Sequence, residues 1–203
     1  MNLSASTIIL LINCGVSFWA LNNPEVMNRL ILTPYWVERK KEYYRFITSG
    51  FIHANFMHLA FNMISFYFFA HTVETWLGGP LFVLLYILAL VISDIPTYLK
   101  YKNNSYYASL GASGAVSAII FAAILLHPID TIRIYFIPIP AFVYGALYLG
   151  YSYYMDQRSG DNINHSAHFY GAVVGLVFVA VLFPSVVPAM FVSIAEELHR
   201  FFR

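Results

Sequence analysis

Residues 110–117 read Leu110-Gly111-Ala112-Ser113-Gly114-Ala115-Val116-Ser117, and they open an apolar run that ends at Leu126, before His127-Pro128. A serine close to two glycines is a poor start for an ordinary buried helix. It is a good way to present a nucleophile, because glycine lets the backbone turn sharply and lets another group approach closely. The pattern is weak alone, since glycine-serine runs are also common where membrane helices pack closely. The neighbouring segments must therefore distinguish packing from catalysis.

The composition is poor in charge. Only 10% of the 203 residues are charged and 60% are hydrophobic, whereas a soluble domain carries about a quarter charged residues. This deficit predicts a polytopic membrane protein of the all-α class. The net charge of +1 provides no basic field for nucleic acid. The single cysteine, Cys14, allows neither an internal disulfide nor a cysteine-based metal site. We expect one membrane domain over residues 1–203, with no separate soluble domain.

Six hydrophobic segments are long enough, or nearly so, to cross a bilayer, for which about 17–25 mostly apolar residues are needed. The predicted spans are residues 7–21, 56–72, 81–99, 113–127, 132–155 and 168–183. Residues 22–54 alternate aromatic and charged side chains, which is typical of the membrane–water interface. We predict that they form an interfacial first loop with short helical turns. Residues 186–202 predict a short amphipathic tail.

Two of the predicted spans are too short to cross the hydrocarbon core. Ser113 to Leu126 rises about 21 Å and His168 to Phe183 about 22–24 Å, against a hydrocarbon thickness of ~30 Å. The fourth and sixth spans run in the same direction, so we expect Ser113 and His168 at one depth on the same side of the bilayer. The second span is parallel to both, and its polar residues lie near the same end.

Small residues predict close packing between these two spans. Gly114 and Ala118 lie four residues apart on the fourth span, and His168 shares a helix face with Gly171 and Gly175 on the sixth. Small residues at this spacing allow membrane helices to pack with their backbones nearly touching. Close packing is also what would bring an imidazole to a hydroxyl.

Ser113 is the candidate nucleophile and His168 the candidate base. Polar groups inside a bilayer are costly unless they are partnered, so several at one level indicate function. Neutral His168 would take the proton of Ser113 and return it to a leaving amine. His58 and Asn62 lie four residues apart on one helix face. Their side chains and the backbone N–H of Ser113 could hydrogen-bond the oxyanion of a tetrahedral intermediate.

Neither nearby acid is predicted to complete a triad. Asp94 lies near the same end of the bundle with no predicted contact to the histidine, and Asp161 lies in a hydrophilic loop, where it is solvated. We therefore predict a Ser–His dyad, and we expect Asp161→Ala to retain most activity.

In this order, these residues resemble the rhomboid family of intramembrane serine proteases. The matching motifs are Glu42-Tyr43-Tyr44-Arg45, His53 with His58-x-x-x-Asn62, Glu74-x-x-x-Gly78, Gly111-Ala112-Ser113-Gly114 and Ala167-His168-x-x-Gly171-x-x-x-Gly175. The resemblance covers nearly the whole chain. It implies a rhomboid-like bundle of six transmembrane helices that cleaves single-span membrane proteins in or near their transmembrane segments, without metal or cofactor.

The resemblance also implies residue roles. It implies Ser113 as nucleophile, His168 as base, and His58, Asn62 and the Ser113 amide as the oxyanion hole. His165 could be mistaken for the base, but only His168 fits the Ala-His-x-x-Gly pattern.

The chain departs from the family pattern at two positions. Tyr44 stands where many relatives have tryptophan before the arginine, which leaves the interfacial role intact. Ser117 occupies a position where an aromatic residue often stacks on the catalytic histidine. Another group must therefore orient His168 in this chain.

The resemblance implies a multi-pass protein of a bacterial inner membrane, with the active site open to the extracytoplasmic side. Loop 156–166 and the fifth span would resemble the family's cap and substrate gate. The basic residues point the other way, because the side that the family places in the cytoplasm holds three and the opposite side holds eight, against the positive-inside bias. We keep the family orientation, since an interfacial loop can bind headgroups regardless.

Other function classes stay open. A rhomboid-like protein that binds membrane clients without cutting them is the main alternative, although such proteins usually lack the serine or the histidine. A small-solute transporter is a second, against which the spans show no inverted repeat and no paired broken helices. A metal site built from His53, His58, His165 and His168 is less favoured.

Overall fold

The computed structural model describes residues 3–134, 136–158 and 163–203. This part of the chain is mostly helical. Its elements are α1 Ala5–Leu21, α2 Pro24–Leu30, α3 Pro34–Lys40, α4 Arg45–Thr48, a 3-10 turn Ser49–Phe51, α5 Phe56–Leu77, α6 Gly79–Tyr101, α7 Ser113–Leu126, β1 Thr131–Ile134, β2 Ile137–Pro140, α8 Ala141–Asp156, α9 His165–Leu182 and α10 Val186–Phe201.

Two of the described helices, α6 and α9, are long and apolar enough to cross a membrane, and the apolar helices α1 and α7 are shorter. The architecture agrees with an all-α membrane protein. Six complete spans remain a prediction.

The first loop folds into short helices, as predicted. Proline stands at the first position of α2 and of α3, where its missing N–H costs nothing and its fixed φ suits a helix. The buried guanidinium of Arg45 pairs with Glu42 at 2.6 Å and donates to the carbonyls of Asn28 and Ile31 at 2.9 and 2.7 Å. One side chain therefore closes the loop onto itself.

The predicted fifth span, residues 132–155, is wrong in its first part. Residues 131–134 and 137–140 form an antiparallel hairpin in which Ile132 faces Ile139, and α8 begins only at Ala141. Pro138 and Pro140 explain the difference, because proline lacks the N–H that a helix needs and pushes the preceding residue to an extended backbone.

Helix α7 lies at the centre of the bundle. Twelve of its fourteen residues are buried, and it packs against α5, α6, α8 and α9. A helix that is apolar on every face is stable only when it is surrounded. Its first residue, Ser113, is therefore held by the whole bundle rather than by a surface loop.

Candidate active site

The turn into α7 requires glycine at residue 111. Gly111 has a φ of +117°, and a Cβ there would lie 2.7 Å from Cε1 and 2.8 Å from Nε2 of His58. Its N–H donates to the carbonyl of Ser49 at 2.9 Å. Gly111 therefore turns the chain and admits a neighbouring group, and both predictions from the sequence are confirmed. The neighbour is the His58 imidazole.

The backbones of α7 and α9 touch at two levels. A Cβ on Gly171 would lie 2.1 Å from the carbonyl oxygen of Gly114, and a Cβ on Gly175 would lie 2.0 Å from that of Ala118. The predicted close packing of these helices is confirmed. Gly114 follows Ser113 directly, and Gly171 lies one helical turn after His168, so the contact holds the two candidate residues at neighbouring positions.

Ser113, His168, His58 and Asn62 line one cavity of about 1060 Å³. All four side chains that the sequence analysis selected are therefore brought together. The four side chains supply a hydroxyl, two imidazoles and an amide.

The start of α5 fixes the orientation of two of these groups. The side chain of Asn55 caps the helix by accepting the N–H of His58 at 2.8 Å, and the N–H of Ala54 points to Nδ1 of His58 at 3.5 Å. This long contact favours the neutral tautomer in which Nδ1 accepts and Nε2, the atom beside Gly111, carries the ring proton. Asn62 donates one amide N–H to the carbonyl of His58 at 3.0 Å, which leaves the other N–H of its amide as a second donor.

His53 hydrogen-bonds to the turn that leads into α7, and it stays neutral. The N–H of Ala112 donates to its Nε2 at 3.4 Å, and its Nδ1 contacts the hydroxyl of Ser17 on α1 at 2.8 Å. That hydroxyl lies 3.0 Å from the carbonyl of Phe51, to which it donates. Burial, followed by the neighbouring imidazole of His58, lowers the pKa of His53 to about 3. His53 belongs to the motifs quoted above, but its link to α1 could not be predicted from them.

Asn164 is a residue that the sequence analysis missed. Its Oδ1 accepts the N–H of Ala167 and the hydroxyl of Thr97, both at 3.0 Å, and so caps α9. Its Nδ2 donates to Asp94 at 3.2 Å and to Ser109 at 3.1 Å. The network ties the start of α9 to α6 and to the segment that leads into α7. Asparagine is a preferred helix N-cap, which is the signal that could have identified it.

Of the two acids considered from the sequence, Asp94 accepts a hydrogen bond from Asn164, and Asp161 lies outside the described residues.

Helix α9 begins three residues before the predicted position, so His165 belongs to its first turn. His165 is buried, with its ring centroid 5.9 Å from that of His168 and 5.7 Å from that of Tyr151.

The four histidines of the alternative metal site form two pairs. The ring centroids of His53 and His58 lie 5.0 Å apart, and those of His165 and His168 lie 5.9 Å apart. In each pair the rings meet edge to face. Within residues 3–134, 136–158 and 163–203, no three His, Cys, Asp or Glu side chains are grouped as metal ligands.

The chain is similar in sequence to several known proteins. A family model described as the Rhomboid domain matches residues 40–185. RHOMBOID-like protein 12, mitochondrial, of Arabidopsis thaliana is 30% identical over 187 residues, which are 83% of this chain and 55% of that protein.

Two further relatives are similar over shorter stretches. The human presenilin-associated rhomboid-like protein, mitochondrial, is 29% identical over 66% of this chain and 36% of its own length. A putative rhomboid protease of Bacillus subtilis (strain 168) is 40% identical over 75 residues, which are 37% of each chain. The chain thus spans about half of the Arabidopsis relative and about a third of the human one.

Proposed function

Because this chain belongs to the rhomboid family, we propose that it is an intramembrane serine endopeptidase with six transmembrane helices. Its substrates would be single-span membrane proteins, cut in or near their transmembrane segments by a Ser113–His168 dyad. The observation that carries the proposal is the shared cavity, which both side chains line together with His58 and Asn62.

In the first half of the reaction, Ser113 Oγ attacks the scissile carbonyl while His168 accepts its proton. Negative charge develops on the carbonyl oxygen. It is stabilised by Nε2–H of His58, the amide of Asn62 and the N–H of Ser113. The last of these belongs to the first turn of α7, where N–H groups have no helical acceptor and the helix dipole favours an anion. His168 then gives the proton to the leaving amine, and an acyl-enzyme on Ser113 remains.

The second half needs water at the same place. A cavity needs only about 10–15 Å³ of open space to hold one water molecule, so a cavity of about 1060 Å³ has room for water beside a peptide. His168 removes a proton from the attacking water, the acyl bond breaks, and Ser113 recovers its proton.

The membrane and the orientation belong to the proposal as well. Rhomboid proteins are integral to membranes; two of the relatives are named as mitochondrial, and the third comes from a bacterium. For this chain we favour a bacterial inner membrane, with the cavity open on the extracytoplasmic side.

Cleavage of a model single-span protein by the detergent-purified chain tests the proposal. Ser113→Ala and His168→Ala should abolish cleavage. Ser113→Ala should also abolish labelling by a fluorophosphonate probe, which reacts with activated serines. Ser185→Ala and His127→Ala are matched controls, since both side chains are exposed and neither lines the cavity. Cleavage that survives Ser113→Ala would reject the dyad.

A folded wild-type protein that neither labels nor cleaves, but binds the substrate, would favour a rhomboid-like protein that binds clients without cutting them.

A further inference from the structure

An aromatic ring from α8 lies beside the candidate base. The ring centroid of Tyr148 is 6.3 Å from that of His168, and the two planes are 35° apart. This separation falls within the range of about 4.5–7 Å over which aromatic rings attract one another in offset arrangements. Tyr148 also lines the cavity that contains Ser113.

The hydroxyl of Tyr148 is pinned by Ser117. Oη of Tyr148 and Oγ of Ser117 lie 2.6 Å apart, in a hydrogen bond between α8 and α7. Ser117 is buried and lies one helical turn after Ser113. The serine thus holds a ring that a different helix supplies.

Further contacts fix where α8 carries this ring. A Cβ on Gly145 would lie 3.4 Å from Cε1 of Phe121 and 3.4 Å from Cδ1 of Ile124, so α8 meets α7 closely one turn before Tyr148. The ring of Phe121 is 5.5 Å from that of Tyr148, and the ring of Tyr144 is 5.9 Å from it. The tyrosine is therefore held at both its ring and its hydroxyl.

We infer that Tyr148 is a positioning residue for His168, pinned by its hydrogen bond to Ser117. The inference rests on the proposed function, because it assigns to Tyr148 the orientation of the base for proton transfer. A ring packed beside the imidazole limits rotation about the last side-chain bond and so keeps the accepting nitrogen aimed at Ser113. A misplacement of about 1 Å at a reacting group can cost about 100-fold in rate.

One consequence distinguishes this arrangement from a ring carried on α7 itself. Ser113 and Ser117 belong to α7, whereas Tyr148 belongs to α8. His168 lies on α9, against which α8 also packs, so a displacement of α8 away from α7 and α9 moves the ring from the imidazole and leaves Ser113 in place. The base is therefore oriented only while α8 is docked.

The test compares cleavage by Tyr148→Leu, Tyr148→Phe and Ser117→Ala with that of the wild type. Tyr148→Leu should lower kcat by about 10- to 100-fold with KM within about twofold, since orientation rather than binding is lost. Tyr148→Phe keeps the ring and should therefore retain most of the wild-type kcat. Tyr148→Phe and Ser117→Ala should each lower kcat by about two- to fivefold. The double variant should lower it no further, because each single substitution removes the same hydrogen bond.

Tyr153→Leu is the matched control. Tyr153 lies on the same helix, and its ring contacts α9 at a similar centroid distance, 5.9 Å, but the contact is with Phe169 rather than with the histidine. Its kcat should stay within about twofold of the wild type, as expected for an exposed position. Equal kcat values for Tyr148→Leu and Tyr153→Leu would overturn the positioning role.

The two proposals fail in different ways. Wild-type cleavage that depends on Ser113 but is indifferent to Tyr148 rejects the positioning role alone. Cleavage that is independent of Ser113 rejects the dyad itself. If Tyr148→Leu does not fold, unchanged kcat in both Tyr148→Phe and Ser117→Ala overturns the inference.

Discussion

Asn62 and His58 lie one turn apart at the start of α5, and both line the cavity with Ser113. Loss of one oxyanion donor typically costs on the order of 10²–10³ in kcat. We expect a loss of this size for Asn62→Ala in steady-state cleavage assays, with little change in KM, because the bond forms fully only in the transition state.

Asn22→Ala serves as the control for that variant, since Asn22 does not line the cavity and donates to the carbonyl four residues earlier, as Asn62 does. Wild-type kcat in Asn62→Ala would show that its amide serves the α5 backbone alone, through the bond to the carbonyl of His58.

The rate of cleavage should fall as the solution is acidified. An imidazolium cannot accept the proton of Ser113, so kcat/KM should decline on the acid side as His168 becomes charged. His53 is not the source of this decline, because burial lowers its pKa to about 3 and it stays neutral over the same range. A pH profile that is flat from mildly alkaline to well below neutral would contradict the role of His168.

His53 makes a separate contribution to stability. An unfolded histidine titrates near 6.5, so below that pH the unfolded chain binds a proton that the folded chain, with a pKa of about 3 at His53, does not. The free energy of unfolding should therefore fall as the pH drops from about 6.5 towards 3. Thermal melts across that range would measure the decline.

At the residue scale, the sequence predicted the chemistry better than the support around it. Ser113, His168, His58 and Asn62 could be selected because a nucleophile, a base and amide donors are chemically distinctive. Tyr148 could not be selected, because its contact with His168 depends on the rotation of α8 about its own axis and on its position along that axis relative to its neighbours. Spacing along one helix carries no information on either quantity.

The contact between α7 and α9 leaves no room for a side chain at Gly171. A Cβ there would lie 2.1 Å from the carbonyl oxygen of Gly114, so Gly171→Ala must push the helices apart. Overpacking of this kind costs about 1–3 kcal/mol of stability, and the shift at His168 should lower kcat by on the order of 10². Differential scanning calorimetry and cleavage assays would measure the two effects.

Gly150→Ala is the control for this substitution. Gly150 lies in α8, and a Cβ at that position would have no other atom within 4 Å. Alanine in a helix interior is more stable than glycine by roughly 0.5–1 kcal/mol. We expect Gly150→Ala to be neutral or stabilising. An equally stable and active Gly171→Ala would mean that the backbones do not touch at this level.

At the element scale, hydropathy located the helices but not the hairpin. Residues 131–140 are apolar enough to be counted with the fifth span, yet Pro138 and Pro140 direct their backbone into β2. Hydropathy measures polarity, whereas the backbone donors decide between helix and strand. The local effect of the two prolines on the backbone therefore outweighs the apolar character of the run.

At the scale of the whole molecule, the family orientation and the positive-inside bias predict opposite directions of insertion into the membrane. The segment before α7 and the hairpin after it lie at opposite ends of that helix. The family orientation places residues 102–112 outside the cytoplasm and the hairpin inside. The positive-inside bias places them the other way, since eight of the eleven Lys and Arg residues lie on the side of Ser113.

Labelling of intact bacterial cells with a membrane-impermeant maleimide decides between the two orientations. Cys14→Ala removes the single native thiol, and Asn104→Cys and Arg133→Cys then report one end of α7 each. We expect rapid labelling of Asn104→Cys, and labelling of Arg133→Cys only after the cells are opened. The reason is that the basic first loop, in which Arg45 is buried and paired to Glu42, is a folded interfacial unit. Its charges are not free to anchor the loop in the cytoplasm. The reverse pattern would mean that the charge bias sets the topology and that the cavity faces the cytoplasm.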